Sequence, residues 1–328
     1  MSERAVRLPI AFNNRVWLLP ALFLAIAPAA LGAEHTYPPD IRKILDRKRL
    51  IVALPERDQP PFFWYDPAQK QHRGFDVELA QQIAVRLGLG ADAVEFNREA
   101  KSFNGVIDVV QAGRADVAIC KLSATLARSR RMLFTSPYVV LRKGLLINRL
   151  RFARLKRGRS PAEAIRDFRG RVAVIANSSY EGYAREMFLR GGETPAQIDR
   201  RIALKKNWEE VIRAVESGEV DAAFRDELEI KKVFRQRPDV AIRLQSVVFK
   251  DTRDPIAIAV DWKSTHLHKW LQLFLHKHFT EHLRLGKTQI TADELLDRYK
   301  EIFEEGGADH RTERTPAGRG AAGDGKSS

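Results

Sequence analysis

CKLSATLARSRRMLFTSPY, residues 120–138, decides how the rest of the chain is read. It follows Asp116-Val-Ala-Ile-Cys120, an apolar run that predicts a short buried strand. Ser123, Thr125 and Arg128 then arrive at a turn that opens a helix, with Thr125 as its N-cap. Hydroxyls, free backbone N–H groups and an arginine at a strand-to-helix turn form an anion site. A guanidinium matches a planar carboxylate through two parallel hydrogen bonds, whereas a lysine offers only a point charge. Alone, S-x-T-x-x-R reads more readily as a capped surface helix bearing a solvated arginine.

The flanking motifs narrow the choice. GFDVELAQQIAVRLG (74–88), FNGVIDVVQAGRADVAI (103–119), the S-x-T-x-x-R turn and FTSPY (134–138) occur in this order. Together they resemble the family 3 extracellular solute-binding proteins, and the resemblance covers about residues 45–300. It implies an α/β, two-lobed periplasmic-binding-protein (type II) fold. Each lobe would be a mostly parallel sheet flanked by helices, with two crossing hinge strands near 139–147 and 250–260. It assigns lobe 1 to 34–143 and 254–304, and lobe 2 to 144–253. The implied function is capture of a small carboxylate-bearing ligand, foremost an amino acid, by cleft closure and delivery to the membrane permease of an ABC transporter.

The N-terminus reads as a cleavable signal peptide, 1–33, that would place the protein in the periplasm. Arg4, Arg7 and Arg15 form a positive region, and Val16–Ala30 is apolar but interrupted by Pro20 and Pro28. An uncleaved anchor is the rival, though a span needs about 20 apolar residues. Hydrophobic residues at 44% and charged residues at 30% suit a globular protein. Cys120 is the only cysteine, so no disulfide forms within the chain. The net charge is +14, of which residues 1–33 carry +2. No basic helix with interleaved aromatics points to nucleic acid. No cofactor or metal is expected, and the protein should be a monomer.

The resemblance carries site residues over one by one. Arg128 and Ser123 match the carboxylate anchors of lobe 1. Ser179, in Asn177-Ser178-Ser179 after the strand Val172–Ala176, matches the hydroxyl of lobe 2, with Asn177 where the family has glycine. Asp226, at the end of Glu219–Asp226, matches the acid that pairs with an α-ammonium group; Arg225 could orient it or reach the ligand. Asp221 and Glu227 read as surface acids. Phe62 and Glu56, in the loop after the first strand, and Phe103, at a helix start, are further candidates.

Lys121 departs from the family's usual small residue. Its cation beside Arg128 calls for extra negative charge, supplied by Asp226 or by the ligand, unless the side chain reaches solvent. The expectation drawn from it is a ligand more acidic than a neutral amino acid, or one lacking the α-ammonium. Arg149 to Arg159 holds six cations and no acid, either a solvated loop or a docking strip for anionic lipid heads or an acidic partner. His278 and His282, four apart, read as packed rather than metal-binding. Residues 265–285 predict a long helix, 291–304 a last one, and 305–328 a disordered tail. Two alternatives stand beside the receptor: a dehydratase of small carboxylic acids on the same scaffold, and a binding subunit of a sensor or other exported system.

Overall fold

The computed structural model describes residues 37–304 except Asp167 and 283–288. The expected signal peptide and disordered tail lie outside the described residues, as does the rival N-terminal anchor. Among the described residues no helix is long and apolar enough to cross a membrane.

Two five-stranded sheets share one plan. The first lobe contributes β1 (Leu50–Pro55), a small hairpin β2 (Trp64–Asp66) and β3 (Gln71–Arg73), then β4 (Val94–Ala100), β5 (Val117–Ala118) and β6 (Leu133–Phe134). The chain leaves through β7 (Val139–Leu141) into β8 (Lys143–Asn148), β9 (Val172–Ile175), β10 (Ile202–Lys205), β11 (Ala222–Asp226) and β12 (Leu244–Val248). It returns through β13 (Asp254–Ile256) to β14 (Ala259–Val260). The orders are β4-β1-β5-β14-β6 and β10-β9-β11-β8-β12. In each sheet four strands point one way and the fourth in the order is reversed. Helices between consecutive strands bring the chain back for parallel pairing.

The second sheet is apolar on both faces, as a helix-covered parallel sheet must be. Leu145 and Ile147 of β8, Val172 and Val174 of β9, and Ala222 and Phe224 of β11 share one core. Their neighbours Leu146, Ala173 and Ala223 share the opposite one. In the first lobe, helix Phe75–Arg86 buries Val77, Leu79, Ala80, Ile83 and Ala84, at the spacing read from the sequence. Cys120 is buried, and burial pushes its thiol above the ordinary cysteine value, so it is unreactive.

The crossing is tighter than the sequence suggested. β7 and β13 pair over three residues, Val139–Leu141 against Asp254–Ile256, and 143–148 already belongs to the second sheet. Arg142 marks the break: its N–H donates to Glu227 Oε1 at 3.0 Å, and its carbonyl accepts from the Glu227 N–H at 2.9 Å. Glu227 is therefore buried, not a surface acid. Asp221 is half-buried and accepts from the Arg171 N–H.

Three other expectations need correction. The basic stretch opens as a helix, Arg149–Lys156, capped by Asn148 and anchored by buried Phe152, rather than as a loop. The helix expected over 265–285 is α-helical for Thr265–Lys277 and continues as a π-turn, His278–His282. His278 is buried between Phe274 and Phe279, while the His282 side chain lies outside the described residues. The last helix is two, Ala292–Arg298 and Glu301–Glu304.

Candidate ligand-binding cleft

β5 is followed by Ile119-Cys120-Lys121-Leu122-Ser123, and the backbone turns sharply at Lys121, whose φ is 54°. That left-handed conformation costs a residue with a Cβ roughly 1–2 kcal/mol, a strain that only glycine would escape. Asp76 Oδ2 holds the turn by accepting the Lys121 N–H at 2.7 Å. Burial pushes the Asp76 carboxyl up to about 7, although hydrogen bonds from Tyr138 and the Lys121 N–H act the other way.

Ser123 is fixed by backbone pairing with Ile256 of β13, and Thr125 caps the next turn by accepting the Arg128 N–H at 3.2 Å. That helix is a single turn, Leu126–Ser129, so the guanidinium rather than a helix dipole carries the positive charge. Arg128 is buried, and its Nη1 donates to the Ser123 carbonyl at 3.0 Å. Its guanidinium stands over the Phe103 ring at 5.8 Å. Among the described residues no carboxylate forms an ion pair with it. Burial holds its pKa below the usual arginine value.

The second lobe faces this turn with two strand ends. After β9, Asn177 takes φ 59°, a conformation asparagine tolerates better than most residues. It delivers Ser179 to the first turn of helix Ser179–Arg190. Ser179 Oγ lies 3.1 Å from Ser123 Oγ, a hydrogen bond from one lobe to the other. Tyr180 donates to Asp254 Oδ2 at 2.7 Å. β11 ends in Arg225 and Asp226, both buried. Asp226 caps helix Glu227–Gln236 by accepting the Glu229 N–H at 2.9 Å.

Lys121 crosses the cleft. Its Nζ lies 2.7 Å from Glu229 Oε1 and 3.2 Å from Asp226 Oδ2, with all three side chains buried. The lysine is thus neutralised inside the protein and does not reach solvent. Lys232 flanks Glu229 at 3.2 Å and donates to the Pro60 carbonyl at 2.5 Å. Burial alone would raise the Glu229 pKa, but Lys121, Lys232 and Arg225 outweigh it and hold the carboxyl far below its ordinary range. Burial likewise opposes the Arg225 charge, and Glu229 and Asp226 more than offset it.

Between these walls lies a small, partly open pocket. Arg128, Ser123, Lys121 and Phe103 line it from one side, and Ser179 and Asp226 from the other. Six of the eight expected residues therefore meet. Phe62 does not line the cavity: it is buried in the first core, with Lys121 Nζ 5.2 Å above its ring. Glu56 is exposed, and its carbonyl, not its carboxylate, is engaged, by Arg98.

Tyr180 and Asp254 also line the cavity, and neither was singled out from the sequence. Glu229 and Lys232 were missed too. Their signal was local: Asp226-x-x-Glu229 is a helix-start pattern, and Lys232 follows Glu229 by one turn.

Residues 51–156 match the bacterial extracellular solute-binding proteins, family 3. Membrane-bound lytic murein transglycosylase F of Saccharophagus degradans is 29% identical over 176 residues, 53% of this chain and 32% of that protein. The L-cystine-binding protein TcyJ of Escherichia coli is 27% identical over 147 residues, 44% of this chain and 50% of its own length. The chain thus spans between a third and a half of these two relatives. In fold it is similar to the amino acid ABC transporter substrate-binding protein AbpA of Streptococcus pneumoniae, bound to L-arginine. That likeness has a TM-score of 0.60 at 24% identity and covers 80% of this chain and 99% of that one. Over residues 51–156 the chain is thus similar to the family 3 extracellular solute-binding proteins, and its architecture is the two-lobed type II fold of its structural neighbours.

Proposed function

We propose that this chain is an exported receptor that captures a small carboxylate-bearing ligand between its lobes and hands it to the permease of an ABC transporter. One observation carries the reading. Arg128, a buried cation without an ion pair among the described residues, lines a cavity with hydroxyls from both lobes, Ser123 and Ser179. An unpaired buried charge is costly, and a ligand carboxylate offsets that cost. Charge-assisted hydrogen bonds contribute about 1.5–3 kcal/mol each. A few of them approach the roughly 8 kcal/mol of micromolar binding.

Ligand meets Arg128, Ser123 and Phe103 first, and Ser179 closes over it by rotation about the β7–β13 ribbon. Binding rather than turnover fits the acids of the cavity. Asp226 is engaged by Lys121 and by a helix N-terminus, and Asp254 by Tyr180, so neither is free to act as a base. The proposal keeps lobe 1 as 34–143 with 254–304 and lobe 2 as 144–253; export by a signal peptide to the periplasm and a monomeric state complete it.

The test is thermal shift of the purified chain against small carboxylates and amino acids, followed by stimulation of the ATPase of its reconstituted permease. A ligand that raises Tm and stimulates ATP hydrolysis is expected. Conversion of the ligand to product would replace the receptor with an enzyme.

A further inference from the structure

The cavity is chemically one-sided. Three cations line it, Lys121, Arg128 and Arg225, against two carboxylates, Asp226 and Asp254, which leaves one positive charge. Behind the wall Glu229 and Lys232 balance each other. Both carboxylates that a ligand cation would meet already have partners within the protein. Asp226 accepts the Glu229 N–H at 2.9 Å and faces the Lys121 ammonium at 3.2 Å. Asp254 accepts the Tyr180 hydroxyl at 2.7 Å and stands 3.8 Å from Lys143 Nζ.

The donors are less satisfied. Arg128 has no ion pair among the described residues, and buried Arg225 Nε has no hydrogen-bond partner, lying 3.7 Å from Asp226 Oδ2. Lys121 reaches its position from a left-handed backbone that disfavours a side chain. Its ammonium lies where an external one would have to sit to meet Asp226.

We infer that Lys121 is a built-in substitute for a ligand ammonium group, and that the receptor therefore takes small monoanionic carboxylic acids without an amino group. The inference rests on the receptor reading and names its ligand class. A monoanion cancels the residual charge of the lining. A zwitterionic amino acid adds a second ammonium to a cleft where Lys121 already holds the acid, and close like charges in a poorly solvated site repel strongly. Arg225 Nε offers the incoming anion a donor beyond Arg128.

Calorimetry on the full chain tests this with matched pairs that differ only at the amino group: lactate and pyruvate against alanine, and 2-hydroxyisocaproate against leucine. The expected result is binding of at least one amine-free acid at least 10-fold tighter than its amino counterpart. Lys121→Met should narrow or invert that ratio by freeing Asp226. Because Lys121→Met leaves Glu229 and Asp226 short of a cation, the charge-balanced Lys121→Met/Glu229→Gln variant is measured beside it and should shift the ratio in the same direction. Tighter binding of the amino acids by the wild type overturns the inference and leaves the receptor standing. An unchanged ratio in folded variants also overturns it. Failure of the wild type to bind any member of these pairs, in a screen where other small carboxylates do bind, overturns the ligand class; failure to bind any carboxylate or amino acid sinks the receptor reading itself.

Discussion

Ser123 and Ser179 are 56 positions apart in the chain, yet their hydroxyl oxygens lie 3.1 Å apart across the cleft. One belongs to the turn after β5, the other to the first turn behind β9, so the bond exists only when the lobes are together. Ser179→Ala removes it and one donor for a ligand anion. Affinity should fall about 2- to 10-fold, the range for a net hydrogen-bond loss of about 0.5–1.5 kcal/mol. Small-angle scattering of the ligand-free variant should show a larger radius than the wild type. An unchanged radius would mean that this bond does not help hold the cleft shut.

Arg128→Ala should abolish ligand-induced thermal stabilisation while the ligand-free protein keeps a cooperative melt. Arg128→Lys should recover little of the binding, because a point charge does not replace the planar fork. Arg130→Ala and Arg131→Ala are controls: both side chains are exposed, and Arg131 is tied to Asp108 on the surface. Near-wild-type affinity in Arg128→Ala would remove the anchor from the proposed site.

Asp76 gives stability a pH signature. Its folded pKa, about 7, lies above the ordinary 3.8, so the neutral form is the one the fold prefers. The resulting stabilisation is fully present below pH 3.8 and is lost as pH rises through 7, amounting to about 4 kcal/mol at most. The difference in unfolding free energy between wild type and Asp76→Asn should therefore shrink or change sign between pH 4 and pH 8. A difference that stays flat across that window would show that Asp76 is ionised throughout.

Glu229→Gln leaves the buried ammonium groups of Lys121 and Lys232 without their shared partner. Breaking a buried ion pair from one side costs about 3–5 kcal/mol, read as a lower midpoint in urea. Glu229→Gln/Lys232→Met removes one charge of each sign and should recover much of the loss. If the double variant is as unstable as the sum of its parts, the two side chains are not coupled.

Gly74 tests the link between the aromatic loop and the first core. Its φ is +118°, and an added Cβ would run into the Phe62 carbonyl oxygen and meet a Trp64 ring carbon at 2.8 Å. Backbone cannot move as a flexible side chain can, so Gly74→Ala should lower Tm by several degrees. A melt like that of the wild type would show that this loop shifts freely.

The sequence by itself determined the elements and their class. Apolar alternation in β8, β9 and β11, the helical stripe from Val77 to Ala84, and the order of the strand-to-helix turns are local patterns, and local sterics and burial fix what they become. Arg128, Ser123 and Ser179 were legible for the same reason: each sits at a turn whose chemistry is written within a few residues. Lys121 was legible only as an anomaly. Its partner Glu229 lies 108 positions away, and nothing within reach of Lys121 along the chain names it. The tertiary structure alone decided that the helix starting at Asp226 packs against the first lobe, with Leu228 in that lobe's core and Glu227 pinned to Arg142. Burial then turns a surface-type helix sequence into the wall of a cleft, because a charge removed from water must find its opposite wherever the fold has put it.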